Sequence, residues 1–203
     1  MRKITINLAA VAAFCIVVAS PALVSSSCAT PKTEQEDTTI IREDSGITAL
    51  KYSSPEVPTS IEFCGKTIDL SRFDRHERMD RELLAFTYMH STSLQMLKKA
   101  NRYFPIVEPI LKENGIPDDF KYLMVIESNM NPTARSSAGA AGLWQFMQGT
   151  GRDYGLEVNN NVDERYHIEK ATRAACRYLK DLYDMFDDWT LALASYNYGP
   201  GNV

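Results

Sequence analysis

From about Asp74 onward, apolar residues recur at helical spacing along the chain. Leu83, Phe86, Leu94, Leu97 and Phe104 fall near one stripe with His90 among them, which predicts one long helix. Pro105 and Pro109 predict a break and then a short second helix that ends at "ENG", with Gly115 as its cap. "IPDDF" opens the next helix with Asp118 at its N-cap, and Asn131-Pro132 shuts it off. A further helix is expected through "GLWQFMQGTGRDYG". In "YHIEKATRAACRYLKDLYDMF", Ile168, Ala171, Ala175, Leu179, Leu182 and Phe186 share one face, and Asp187 or Asp188 can cap a last helix through "WTLALASYN". "IEFCGKTIDL" reads as a short strand or an extended packing arm. No segment alternates with period two for long, so the expected fold class is all-α.

The start of the chain has a different pattern. Arg2 and Lys3 precede the apolar run "ITINLAAVAAFCIVVASPALV", the order of an export signal. Thr5, Asn7 and Pro21 interrupt it, which argues against a permanent transmembrane helix. Cleavage after "SCA" and lipid attachment at Cys28 in "VSSSCAT" are the two endings it allows. Residues 29–60 are rich in Thr, Ser, Glu and Pro and read as a flexible tether. The expected organisation is a signal over 1–28, a linker over 29–60 and a domain over 61–203.

Composition narrows the function class. The hydrophobic fraction of 44% and charged fraction of 24% suit a globular domain. The net charge is -4, and Arg2 and Lys3 are the only charges in the signal, so the exported part is more acidic still. A nucleic-acid partner would call for a basic patch, and none is expected here. Of four cysteines only Cys64 and Cys176 belong to the domain, too few for a disulfide framework. Cys176 sits at core spacing and reads as a buried thiol, with a Cys64–Cys176 bridge as the oxidised alternative. His76, His90 and His167 are scattered, so no metal site or other cofactor is expected. "GAAG" lacks the Gly-Lys-Ser/Thr of a phosphate loop, and no Gly-x-Ser-x-Gly elbow is present.

The candidate chemistry lies in "VIESNMNPTARSSAGAAGLWQFM". Glu127 lies seven, four and three residues beyond Phe120, Leu123 and Met124, which puts its carboxyl on the apolar face of its helix. Desolvation there would raise its pKa and keep it protonated near neutrality, the state a general acid needs. An ion pair with a cation such as Arg135 is the structural alternative. The run Ser136 to Gly142 has almost no side-chain bulk, so a ligand could approach its backbone closely. Gln145 offers the donors and acceptors that sugar hydroxyls and acetamides require.

"ESNMNPTARSSAGAAGLWQFM" resembles the glutamate-to-glutamine signature of the soluble-lytic-transglycosylase domain of the goose-type lysozyme superfamily, and "ALASYNYGPG" resembles its later Tyr-Asn motif. The likeness covers about residues 74–203 and is strongest to the membrane-bound D-type members. It implies a lysozyme-like helical fold and cleavage of peptidoglycan glycan strands at the β-1,4 bond between N-acetylmuramic acid and N-acetylglucosamine. By motif position it implies Glu127 as the single catalytic acid/base, Ser136, Gln145 and Met147 as substrate-binding residues, and Tyr196 and Asn197 as the pair facing the glutamate. The chain departs from the family pattern at Trp144, where a Met is usual, and at Ser195, where an Ala is usual. It also stops at Val203, which leads to the expectation of a domain incomplete at its C-terminus. The competing expectations are a peptidoglycan-binding module without turnover and a hydrolytic muramidase. Export and a possible lipid at Cys28 put the protein in the periplasm or cell envelope, anchored through its N-terminus.

Overall fold

A computed structural model describes residues 55–203; the expected signal and most of the expected linker lie outside the described residues. Two short strands open the fold, β1 (Ser60–Phe63) and β2 (Lys66–Asp69), paired antiparallel with Ile61 opposite Ile68. Six helices follow: α1 (Phe73–Tyr88), α2 (His90–Glu113), α3 (Leu123–Ser128), α4 (Gln148–Asp153), α5 (Ile168–Phe186) and α6 (Trp189–Tyr198). Short 3-10 turns cover Asp118–Tyr122, Glu164–Tyr166 and Pro200–Asn202. The domain is helical as expected. The hairpin is a small addition made by the segment that the sequence left open between strand and arm.

Cys64 and Gly65 have φ of 49° and 76°, so the hairpin turns through two left-handed residues, the geometry that matches strand twist. The hairpin is part of the domain core. Phe63 is buried, and its ring sits 6.0 Å from that of Phe120, which lies 5.3 Å from Trp189. The Cys64 N–H donates to Asp119 Oδ2 at 2.7 Å, and Lys66 pairs with Asp188 at 2.6 Å. Cys64 and Cys176 are both free thiols, and Cys176 is buried as its spacing implied.

The single long helix expected from Asp74 is two helices, because the path turns at Met89 (φ -77°, ψ 51°). Ser93 Oγ donates to the Phe86 carbonyl at 2.5 Å and so satisfies an acceptor released by the turn. The turn also moves Leu94 out of the predicted stripe, leaving it 58% exposed. Pro105 and Pro109 do not break the chain; both lie inside α2. They are four residues apart and exposed, so the carbonyls they leave unpaired face water. The opposite face, with Phe104, Val107, Ile110 and Leu111, is buried and holds the helix straight through them.

Where a helix was expected from Asp118, a 3-10 turn comes first and α3 begins only at Leu123. The helix expected through "GLWQFMQGTGRDYG" is reduced to α4, because residues 142–145 form turns and Phe146 a bridge instead. α5 follows its pattern, with Ala171, Ala175, Leu179 and Leu182 buried against α2 and α6. Asp188 is the cap of α6, accepting from the Thr190 N–H at 2.7 Å.

Ser195 lies on the buried face of α6, fully enclosed, and its hydroxyl has no hydrogen-bond partner among the described residues. Enclosing an unsatisfied hydroxyl costs free energy that a methyl group does not. Ser195→Ala is therefore expected to stabilise the domain by about 1 kcal/mol, read as a rise of roughly 2–4 °C in thermal midpoint. A fall in the midpoint would show that the hydroxyl is satisfied.

Candidate active site

α3 is only six residues long and carries Glu127 in its last turn. Leu123, Met124 and Val125 are buried, and Glu127 is partly buried beside them. Asn129 and Met130, at φ of 50° and 51°, then reverse the chain, and the Met130 N–H returns to the Met124 carbonyl at 3.0 Å. Ser128 Oγ lies 3.0 Å from the carbonyls of both Met124 and Leu143, which ties the helix end to the following loop. The carboxyl is therefore held in place by the backbone on both sides of it.

Burial raises the Glu127 pKa to about 7, and burial is the cause of the shift. No ion pair or hydrogen bond reaches its carboxyl among the described residues. The Arg135 alternative is not realised: Arg135 is exposed, and its charge acts on Asp163 instead.

The small-residue run folds back on itself as a tight ribbon. Bridges join Arg135 to Ala141 and Ala141 to Phe146. Ser136 Oγ accepts from the Ala140 N–H at 3.0 Å, so this hydroxyl is already used in shaping its own loop. Gly142, at φ +79°, packs so closely on the chain at Arg165 that a Cβ there would lie 2.0 Å from the Arg165 carbonyl oxygen. Gln145 also takes a left-handed conformation, at φ 48°. Its Nε2 donates to the Gly142 carbonyl at 2.8 Å, which fixes the amide and leaves Oε1 as its spare acceptor among the described residues. Met147 is exposed at the start of α4.

Trp144 is completely buried, and its Nε1–H donates to Thr172 Oγ1 on α5 at 3.0 Å. Its carbonyl accepts from the Tyr196 hydroxyl at 2.8 Å. Tyr196 thus comes from α6 to the loop that follows Glu127. Burial pushes its phenol pKa well up, and the Glu127 carboxylate adds to the shift. The two groups are electrostatic neighbours. The hydroxyl donates to the loop backbone, however, and not to the carboxyl. Asn197, the next residue, is exposed, and no hydrogen bond joins it or Ser136 to Glu127 among the described residues.

Tyr178 is a neighbour the sequence reading passed over. α5 sets its ring 5.1 Å from Tyr196 and 6.4 Å from Phe146, and burial raises its phenol pKa. Its position in "CRYL" is in phase with the buried face of α5, a signal that marks core but not site. The arrangement offers one carboxyl whose pKa is raised to about 7, a fixed amide, a bulk-free loop and an aromatic floor. That set suits proton transfer to an uncharged, hydroxyl-rich ligand.

Residues 105–203 match the family described as Transglycosylase SLT domain. Over 128 residues the chain is 36% identical to the membrane-bound lytic murein transglycosylase D of Escherichia coli, covering 63% of this chain and 27% of that protein. Over 85 residues it is 38% identical to the membrane-bound lytic murein transglycosylase F of Shewanella frigidimarina, covering 38% of this chain and 16% of that protein.

The contact at Gly142 is open to a direct check. Gly142→Ala places a methyl group against backbone and is expected to cost more than about 2 kcal/mol. Gly149→Ala, in α4 with open space around it, is expected to stabilise by about 0.5–1 kcal/mol. Chemical denaturation of the two variants measures the contrast; similar midpoints would mean that the loop can move away from the Arg165 carbonyl.

Proposed function

We propose that this chain, whose residues 105–203 match the family described as Transglycosylase SLT domain, is a peptidoglycan lytic transglycosylase that uses Glu127 as its single acid/base. The observation that carries the proposal is the Glu127 carboxyl, held near pKa 7 by burial with no cation beside it. The chain spans 27% of the length of the first relative named above, so the activity is argued from these residues.

The proposed reaction requires one proton donor. Glu127 protonates the oxygen bridging N-acetylmuramic acid to N-acetylglucosamine, and the C1–O bond breaks. The acetamide of the muramic residue stabilises the positive charge at C1, a substrate-assisted route that needs no second enzyme carboxylate. Glu127, now ionised, removes the proton from the C6 hydroxyl of the same sugar. That oxygen bonds to C1 and closes a 1,6-anhydro ring, and the carboxyl is returned to its protonated form. Water does not enter the product. Gln145 Oε1 and the open loop at 136–142 would hold sugar hydroxyls and acetamides, and Ser136 would act through the loop shape it stabilises. Met147 and Asn197, both exposed, would form the rim of the groove. Tyr196 would fix the floor opposite the carboxyl through its bond to Trp144.

Localisation follows from the same reading. Both relatives are named as membrane-bound. Among the described residues no helix is long and apolar enough to cross a membrane. The proposed location is the periplasm or cell envelope, with attachment through the N-terminus by a lipid on Cys28.

Activity on purified sacculi is expected to decline as pH rises through about 7, where Glu127 loses its proton. Mass spectrometry of the released fragments is expected to show ends lighter by one water than hydrolytic ends; water-added ends would identify a muramidase, and binding without release a carbohydrate-binding module. Glu127→Gln is expected to lower the rate by at least about 100-fold. The same substitution has a stability signature of known sign. The native Glu127 binds its proton more tightly than the ordinary carboxyl value of 4.5, so its stabilising effect is complete below that value and is lost as pH rises to about 7. The variant should therefore match wild type in thermal midpoint near pH 4 and exceed it at pH 8. Equal midpoints at both pH values would place the carboxyl in water and remove the basis of the mechanism.

A further inference from the structure

The proposed chemistry leaves one buried charge unused. Arg165 is 3% exposed, and it is the one charged side chain among the buried residues of the described chain. Its Nε and Nη2 donate to Asp163 Oδ1 and Oδ2 at 2.9 and 2.7 Å, a two-pronged pair. Its Nη1 donates to the carbonyls of Gly139 and Phe146 at 2.9 and 3.0 Å. These two acceptors lie on opposite arms of the ribbon that contains Ala141 and Gly142. The Arg165 carbonyl closes on Gly142, and its aliphatic stem packs against Gly151 of α4, where a Cβ would meet Cγ and Cδ at 3.3 Å. One residue thus contacts the loop at three positions and the helix that follows it at a fourth.

This cluster is an expensive way to fill a core. A buried guanidinium loses its hydration, and a packed apolar side chain would often serve stability as well or better. The fork supplies what an apolar side chain lacks, two directed donors that set the separation of two carbonyls. A lysine could reach one of them but could not present the same plane. Asp163 fixes that plane, and its carboxyl pKa is lowered chiefly by the hydrogen bond from Arg165.

We propose that Arg165, oriented by Asp163, is a positioning residue that sets the shape of the glycan-binding loop Ser136–Met147 without touching the glycan. The inference rests on the reading of this chain as a lytic transglycosylase for its kinetic consequence, and on geometry alone for its structural one. The loop holds Gln145 through the carbonyls of Gly142 and Ala134, so spreading the ribbon would misplace the Gln145 amide. Glu127 is held by the end of α3, where Ser128 lies against the Met124 carbonyl as well as that of Leu143, and the Arg165 fork bonds neither of these carbonyls. Loss of the fork should therefore weaken substrate binding and leave the ionisation of Glu127 unchanged.

The test uses the full chain with Arg165→Lys and, should that variant fold poorly, Asp163→Asn, which keeps the guanidinium and removes its orienting charge. Two readouts are taken. Amide hydrogen exchange followed by mass spectrometry is expected to show residues 136–146 exchanging about tenfold faster than in wild type, the loss of one charge-assisted hydrogen bond, with α2 and α5 unchanged. Kinetics on soluble glycan strands are expected to show KM raised about tenfold, with kcat and the pH midpoint near their wild-type values. Unchanged exchange in the loop, or acceleration spread equally over α2 and α5, would overturn the clamp. A fall in kcat with KM unchanged would overturn the positioning role. A wild-type chain that releases no anhydro ends would instead overturn the proposed function, and the exchange result would still decide the clamp.

Discussion

Residues 141–146 pass through the interior of the domain as neither helix nor strand, so their buried carbonyls must find donors elsewhere. The Gly142 carbonyl takes the Gln145 amide, that of Leu143 the Ser128 hydroxyl, and that of Trp144 the Tyr196 hydroxyl. The Phe146 carbonyl takes the Ala141 N–H and the Arg165 guanidinium. These donors come from α3, α6, the 3-10 turn before α5 and the loop itself. The need to satisfy one irregular segment of backbone therefore gathers the elements around it, and Glu127 lies at the edge of that gathering. The same segment that a glycan would approach is the one that joins the helices.

This arrangement separates two demands on the carboxyl. A general acid near neutrality needs desolvation without a counter-charge, because a cation would stabilise the ionised form and lower the pKa. The domain has a buried cation packed against this loop, but Asp163 pairs with it and two loop carbonyls take its Nη1. No cation enters the Glu127 shift, for which burial alone accounts. Tyr196 and Tyr178 add aromatic surface to the floor, and neither donates to the carboxyl.

The buried setting of Glu127 and the helical class were legible in the sequence because both depend on local periodicity. Glu127 is in phase with Phe120, Leu123 and Met124, and burial of those residues fixes its surroundings. The face of α5 was readable for the same reason. The turn at Met89, the uninterrupted α2 and the non-helical course of residues 142–146 were not. Pro105 and Pro109 usually stop a helix, and they are tolerated here because both lie on the water side, a fact known only once the opposite face is packed. In "GLWQFM" the apolar spacing permits a helix; the bonds that make it a loop come from residues as distant as Thr172 and Tyr196, and no local window contains them. Arg165 was hidden in the same way, since "DERYH" reads as an ordinary charged stretch until the fold turns its guanidinium inward.

The hairpin of Ser60–Asp69 makes the segment matched by the family model and the unit of folding differ. The family match begins at residue 105, in the middle of α2. A fragment cut at that boundary would sever a helix between Phe104 and Pro105. It would also uncover Phe120 by removing Phe63, and it would leave Asp119 and Asp188 without the Cys64 N–H and Lys66. The piece that carries every proposed catalytic residue is thus smaller than the piece that can hold them in place.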